Sequence, residues 1–203
     1  MSDPQKRPEG GRNRLIRAGM KLFAERGYAG TGVREIAAEA GVSQGLIRRH
    51  FGSKVGLREA IEGHVLAEIE QLYGTIAEHS GSKALERIVD DAAQWVERDR
   101  DALMFIRMAL LEKTPGSQKL FDRLVGIVRE FVTVNRERGF LQDDLQPDDE
   151  EQAVTYFLFF LLGPIFVEPF ARSTFGSSMY ERSAVQRRNA FSRRLLTQGV
   201  LKS

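Results

Sequence analysis

The 203-residue sequence contains no cysteine, which rules out disulfides and thiolate metal sites. Histidine is also scarce. His50, His64 and His79 are the three present, and no HExxH or other paired spacing joins them, so no metal site is expected. The sequence offers no phosphate-cradling glycine loop and no nucleophile placed beside a base. No catalytic residue and no cofactor are therefore assigned, and a helical enzyme is disfavoured. The N-terminus lacks the apolar segment of a secretory signal. The longest stretch without charge, Gln152–Val167, is short for a bilayer span and contains Gly163-Pro164. It is expected to be a buried helix of a soluble, cytoplasmic protein with no membrane partner. No segment of useful length alternates with a strand period, and no internal repeat is present.

The remaining composition, 42% hydrophobic and 29% charged, fits one large globular domain or two small ones. The net charge of +2 conceals an asymmetry. Residues 1–60 hold 12 Lys+Arg against 6 Asp+Glu, a net of +6, whereas the other 143 hold 18 against 22, a net of −4. A basic first module facing an anion and an acidic second module follow.

Hydrophobic spacing makes the chain all-α, with about nine helices. Residues 1–11, rich in proline and glycine, read as a flexible tail. Leu15, Ala18, Gly19, Leu22 and Phe23 recur at helical spacing, and Gly27 suits the helix end. Thr31 is expected to cap a second helix carrying Val33, Ile36, Ala37 and Ala40, which Gly41 ends. Ser43 is expected to cap a third helix to about Phe51. The short turn between the last two has helix-turn-helix length. A long helix from Lys54 to about His79 follows, then one carrying Leu85, Ile88, Val89, Ala92 and Val96. The stretch DALMFIRMALLEK is a short apolar helix, and Pro115 lies near the start of the next, which Gly139 ends. An acidic loop leads into a helix from about Asp148 to Arg172, where Pro164 should produce a kink. A last helix is expected over roughly Met179–Val200.

The third helix carries the chemistry. If Ile47 and Phe51 pack inward, Gly45 and Arg49 point outward, flanked by Gln44, Leu46, Arg48 and His50. Arginine reads guanine, glutamine reads adenine, and an aliphatic side chain meets the thymine methyl. Gly45 permits a close approach to a duplex. Ser43 with the helix N-terminus, and Lys54 at the next helix, are placed for phosphates.

The segment LFAERGYAGTGVREIAAEAGVSQGLIRRHFGSKVGL, Leu22–Leu57, resembles the N-terminal domain of TetR/AcrR-type transcriptional repressors. The resemblance covers about residues 12–60. It runs through Phe23, Gly27-Tyr28, Thr31, Val33, Ile36-Ala37, Ala40-Gly41-Val42-Ser43, Gly45, Ile47, His50-Phe51, Ser53-Lys54 and Leu57. Two positions depart from the family pattern: Arg48 stands where tyrosine is usual, and Gly32 where a second threonine is frequent. The resemblance implies a helix-turn-helix domain over 12–55 and a helical ligand-binding and dimerisation domain over 56–203. It implies DNA contacts at Thr31, Arg34, Ser43, Gln44, Gly45, Leu46, Arg48, Arg49, His50 and Lys54. It also implies a homodimer through the last two helices, an inverted-repeat operator in double-stranded DNA, and a small-molecule effector.

The second module says less. Trp95, Met104, Phe105, Met108, Phe121, Phe157 and Phe160 are candidates for a pocket wall, with Asn135 or Gln94 as polar partners. Plain core is the competing reading for each. The scarcity of ionisable residues in these segments points to a largely apolar effector. Two other classes remain: a module that meets an acidic protein instead of DNA, and a ligand-independent activator.

Overall fold

The computed structural model describes residues 10–73, 90–91, 94–139 and 149–199. Residues 1–9 of the expected flexible tail fall outside them, while Gly11 already begins a helix; the end of the long fourth helix, the segment Leu85–Val89 and most of the acidic loop fall outside too. Eight helices have described bounds: α1 (Gly11–Arg26), α2 (Val33–Glu39), α3 (Gly45–Phe51), α4 (Lys54–Tyr73), α5 (Arg100–Glu112), α6 (Pro115–Glu137), α7 (Asp149–Phe175) and α8 (Arg182–Gly199). Residues 90–91 and 94–98 are helical too, and no strand occurs among the described residues. The all-α architecture is as the hydrophobic spacing requires.

The chain divides into two compact units. One gathers Met1–Ala67 with Asp101–Gln118; the other gathers Glu68–Arg100 with Lys119–Ser203. The unit around the N-terminal helices thus takes in more chain than residues 12–55. Its core is aliphatic and aromatic: Leu15, Met20, Phe23, Ile36, Ile47, Leu57, Ile61 and Phe105 are each 3% exposed or less. Each such side chain contributes about 1.5–3 kcal/mol on burial. Glycine lets α1 and α4 approach closely. A Cβ on Gly19 would lie 2.8 Å from Ile61 Cδ1, so any larger residue forces a shift.

One polar cluster lies inside this unit. Arg58 on α4 donates from Nε to Glu62 Oε1 at 2.8 Å and from Nη1 to Glu112 Oε2, at the end of α5, at 2.6 Å. Glu112 Oε1 also accepts the Tyr28 backbone N–H at 2.7 Å. The guanidinium lies 5.0 Å from the Tyr28 ring centroid. Burial works against the Arg58 charge, but the bonds to Glu62 and Glu112 outweigh it and its pKa is raised.

In the second unit, α7 runs unbroken across Pro164 and Pro169. By length and composition it could cross a membrane, but it carries a buried acid. Glu168 accepts from Arg100 Nη2 (2.6 Å), Ser178 Oγ (2.7 Å) and the Met179 N–H (2.7 Å). This capture explains why the last helix starts at Arg182 and not at Met179: Ser178–Glu181 form a turn around the carboxylate. Phe131 on α6 meets Phe157 on α7 edge to face at 5.1 Å. Within this chain only one side of α7 is covered. Tyr156, Phe159 and Phe170 are 63%, 66% and 68% exposed.

Removing Glu112 should leave a buried guanidinium short of a partner. Glu112→Ala is expected to destabilise the chain by about 3 kcal/mol. Arg123→Ala, which breaks the exposed pair with Glu70, should change stability by no more than about 1 kcal/mol. Urea unfolding of both variants checks this; equal losses would contradict it.

Candidate nucleic-acid interface

The helix-turn-helix is built from α2, a tight turn and α3. Gly41 takes φ +62, the left-handed value that the turn needs. The Val42 N–H returns to Ala37 O at 2.9 Å and closes the end of α2. Ile47, 3% exposed, anchors α3 to the core. Its neighbours Gln44, Gly45, Arg48, Arg49 and His50 are exposed, as are Arg34 on α2 and Ser43 before α3. Arg34, Arg48 and Arg49 have no carboxylate partner among the described residues. A Cβ built on Gly45 meets nothing within 4 Å. The interior therefore places no demand for glycine there.

Several expectations need correction. Thr31 does not cap α2. It is 2% exposed, and its hydroxyl is held by carbonyls of the α1 end, Gly27 O at 2.9 Å and Leu22 O at 3.2 Å. That hydroxyl is thus engaged inside the fold. Gly32 is the N-cap residue instead, and no side chain caps the helix there. Glu35 takes over part of that work by accepting the Gly32 N–H at 2.7 Å. Ser43 makes no side-chain cap either, and Gln44 precedes α3 in helical conformation. Phe51 is half-buried, not a full core residue, with the Arg12 guanidinium 5.5 Å above its ring. Leu46 is half-buried and turned toward Gly11, where an added Cβ would lie 3.6 Å from it.

Lys54 is partly engaged. Its ammonium donates to Tyr28 O and sits 4.1 Å from that ring's centroid. Burial, with Arg58 adding to it, lowers its pKa against the pull of Glu112. Two of its three N–H groups remain for an anion. Sequence reasoning missed the set Tyr28, Arg58, Glu62 and Glu112 that supports this end of the module. The Arg58/Glu62 spacing of four was a visible helix-pair signal; nothing local marked Glu112.

The seven pocket candidates fall in both units. Met104, Phe105 and Met108 lie in the first; Trp95, Phe121, Phe157 and Phe160 lie in the second. Phe105, Trp95 and Phe157 are buried, Met104 and Met108 half-buried, and Phe121 and Phe160 exposed. The Trp95 indole N–H donates to Glu68 Oε2 at 2.9 Å. Asn135 is fully buried and donates to Phe131 O.

A core-anchored helix with an exposed amide and unpaired guanidiniums, set behind a tight turn, defines a helix-turn-helix reading module. Residues 15–61 match the family model described as "Bacterial regulatory proteins, tetR family". The HTH-type transcriptional regulatory protein RaaS of Mycobacterium tuberculosis is 46% identical over 151 residues, covering 71% of this chain and 64% of RaaS. The HTH-type transcriptional repressor Rv3405c of the same species is 36% identical over 107 residues, covering 51% of this chain and 48% of the repressor. The chain thus spans 48% of the length of Rv3405c and 64% of that of RaaS. The structure of the fatty acid degradation regulator FadR from Bacillus halodurans aligns with a TM-score of 0.72 at 16% identity, over 92% of this chain and 96% of FadR. That likeness is one of fold.

Two glycines should respond in opposite ways. Gly45→Ala fills open space and should leave stability unchanged or raise it by up to about 1 kcal/mol. Gly27→Ala meets φ +72 and the Glu112 carboxylate 3.2 Å away, and should cost more than about 1 kcal/mol. Thermal melts of both variants would show it, and a destabilised Gly45→Ala would mean that the fold itself requires this glycine.

Proposed function

We propose that the protein is a sequence-specific DNA-binding transcriptional regulator, a cytoplasmic repressor released from a palindromic operator by a small, largely apolar effector. One observation carries this reading: α3 is anchored by Ile47 and presents Gln44, Arg48 and Arg49 exposed and without carboxylate partners. The regulator and repressor names of the relatives support it and favour no catalytic role. Arg34, Gln44 and Arg49 are proposed for base or phosphate contact, and Arg48, Ser43 and Lys54 for phosphates. Gly45 gives the close approach, while Leu46 and His50 flank the face. An effector wall is proposed within a single unit, among Met104, Phe105 and Met108 or among Trp95, Phe121, Phe157 and Phe160. α4 is one continuous helix whose residues belong to both compact units, and it is the proposed route from effector to DNA. The linkage is reciprocal, so operator DNA weakens effector binding by the same factor.

The adjacent arginines separate the two kinds of contact. Arg49 projects most nearly opposite Ile47, and Arg48 is turned about 100° away, toward the groove wall. Arg49→Ala should cost about 1–3 kcal/mol on the best operator and relax preference at one base position per half-site. Arg48→Ala should weaken all sequences alike and flatten the salt slope by about one counterion per subunit. The operator comes first, from selection of bound duplexes out of a random pool; titration of single-base variants at several salt concentrations then reads both effects. Exchanged roles would mean that α3 is rotated from this placement. No effect of either would favour an acidic protein as the partner.

The exposed aromatic stripe of α7 supports a homodimer through α7 and α8, where Ser183 and Ala190 are small and exposed. Two-fold symmetry then matches an inverted repeat. Phe159→Glu with Phe170→Glu should give a monomer in sedimentation at micromolar concentration and lose operator binding. A wild-type monomer that binds its operator specifically would refute the dimer.

A further inference from the structure

We infer that the start of α1 is a second DNA-contacting edge, on which Arg12 and Arg14 hold backbone phosphates beside those met by α2 and α3. The inference rests on the regulator reading above and extends the contact surface beyond the helix-turn-helix.

The first observation is an imbalance of charge along α1. The far end of the helix is neutralised: Lys21 pairs with Glu39 at 2.6 Å and Arg26 with Glu35 at 3.0 Å, both on α2. The near end is not. Its first turn holds no acid, and Arg12 and Arg14 are exposed with no carboxylate partner among the described residues. A guanidinium that served only solubility would gain from a nearby acid, and α1 supplies none before Glu25.

The second observation is where these cations are held. The backbone at Gly11 faces Leu46 of α3 and Val42 of the turn. The Arg12 guanidinium lies over the Phe51 ring at the other end of α3. Arg14 Nη1 makes a long contact to Gly41 O, 3.4 Å, in the turn before α3. The start of α1 therefore touches both ends of the reading helix. A duplex that receives α3 would therefore run its backbone past these two side chains. Each guanidinium has five donors in a fork that suits phosphate, and the protein engages at most one on Arg14. Stacking on Phe51 leaves the edge of Arg12, where its donors lie, open.

Phosphate contacts have a signature that packing lacks: each one adds to the slope of log affinity against log salt. The probe is a pool of random-sequence duplexes, followed by fluorescence anisotropy over a series of KCl concentrations. Arg12→Gln and Arg14→Gln should each lower the slope by about one counterion per subunit, and the double variant by about two. Arg12→Lys with Arg14→Lys should keep most of the slope, and melting temperatures should stay close to wild type. A double glutamine variant with the wild-type slope overturns the inference and leaves the regulator reading standing. A wild-type chain that shows no salt-dependent binding to duplexes overturns both. If the glutamine variants do not fold, Gly10→Cys decides. Gly10 has ordinary backbone angles and open space around it, and the sequence has no other cysteine. A photo-crosslinker at that thiol should attach to duplex DNA, and absence of the adduct overturns the inference.

Discussion

A guanidinium enclosed between two carboxylates is the interaction on which the first compact unit depends. Arg58 is buried, and its charge is tolerable there only because Glu62 and Glu112 hold it. The same Glu112 takes the Tyr28 amide, and the Tyr28 carbonyl takes Lys54. Three pieces of chain far apart in sequence thereby share one polar knot: the α1–α2 turn, the start of α4 and the end of α5. Hydrophobic burial alone would be satisfied by several sliding arrangements of these helices. Directional bonds to one carboxylate are not, so the knot fixes where α2 leaves the α1 end, and with it the direction of α3.

Around that knot, the polar residues of the module divide by what the interior asks of them. Thr31 and Lys54 look similar to their exposed neighbours in sequence, yet backbone carbonyls claim the first wholly and the second in part. Gly45 and Arg49 are claimed by nothing inside. The reading face is thus what is left after the fold has satisfied its own donors and acceptors. This is why exposure and absence of a partner are better guides to it than residue type.

Helix order, the short turn and the inward Ile47 were legible because they depend on spacing along the chain, which sequence records directly. Gly27, Gly41 and Gly139 ended their helices as expected, each at positive φ. The misreadings of Thr31 and Leu46 were long-range. The Thr31 hydroxyl turned toward the α1 end, and Leu46 turned toward Gly11, because the approach of α1 decided both. Glu168 looked like the charge closing an apolar run. It is instead a buried acceptor for Ser178 and Met179 in the turn that follows the helix and for Arg100, 68 positions away in the chain. The exposed side of α7 was hidden for a different reason: an all-round apolar helix has the same sequence whether its own chain or another covers its second face.

The single tryptophan gives the molecule a built-in optical reporter. Trp95 is 6% exposed, and its indole N–H is tied to Glu68 near the far end of α4. Its emission is therefore sensitive to whether that bond and its dry surroundings persist. The described helix-turn-helix has no indole at all, so light from this chain carries no direct signal from the arginine face. A change in its colour or intensity on adding a duplex would register a change where Trp95 meets α4, without a label.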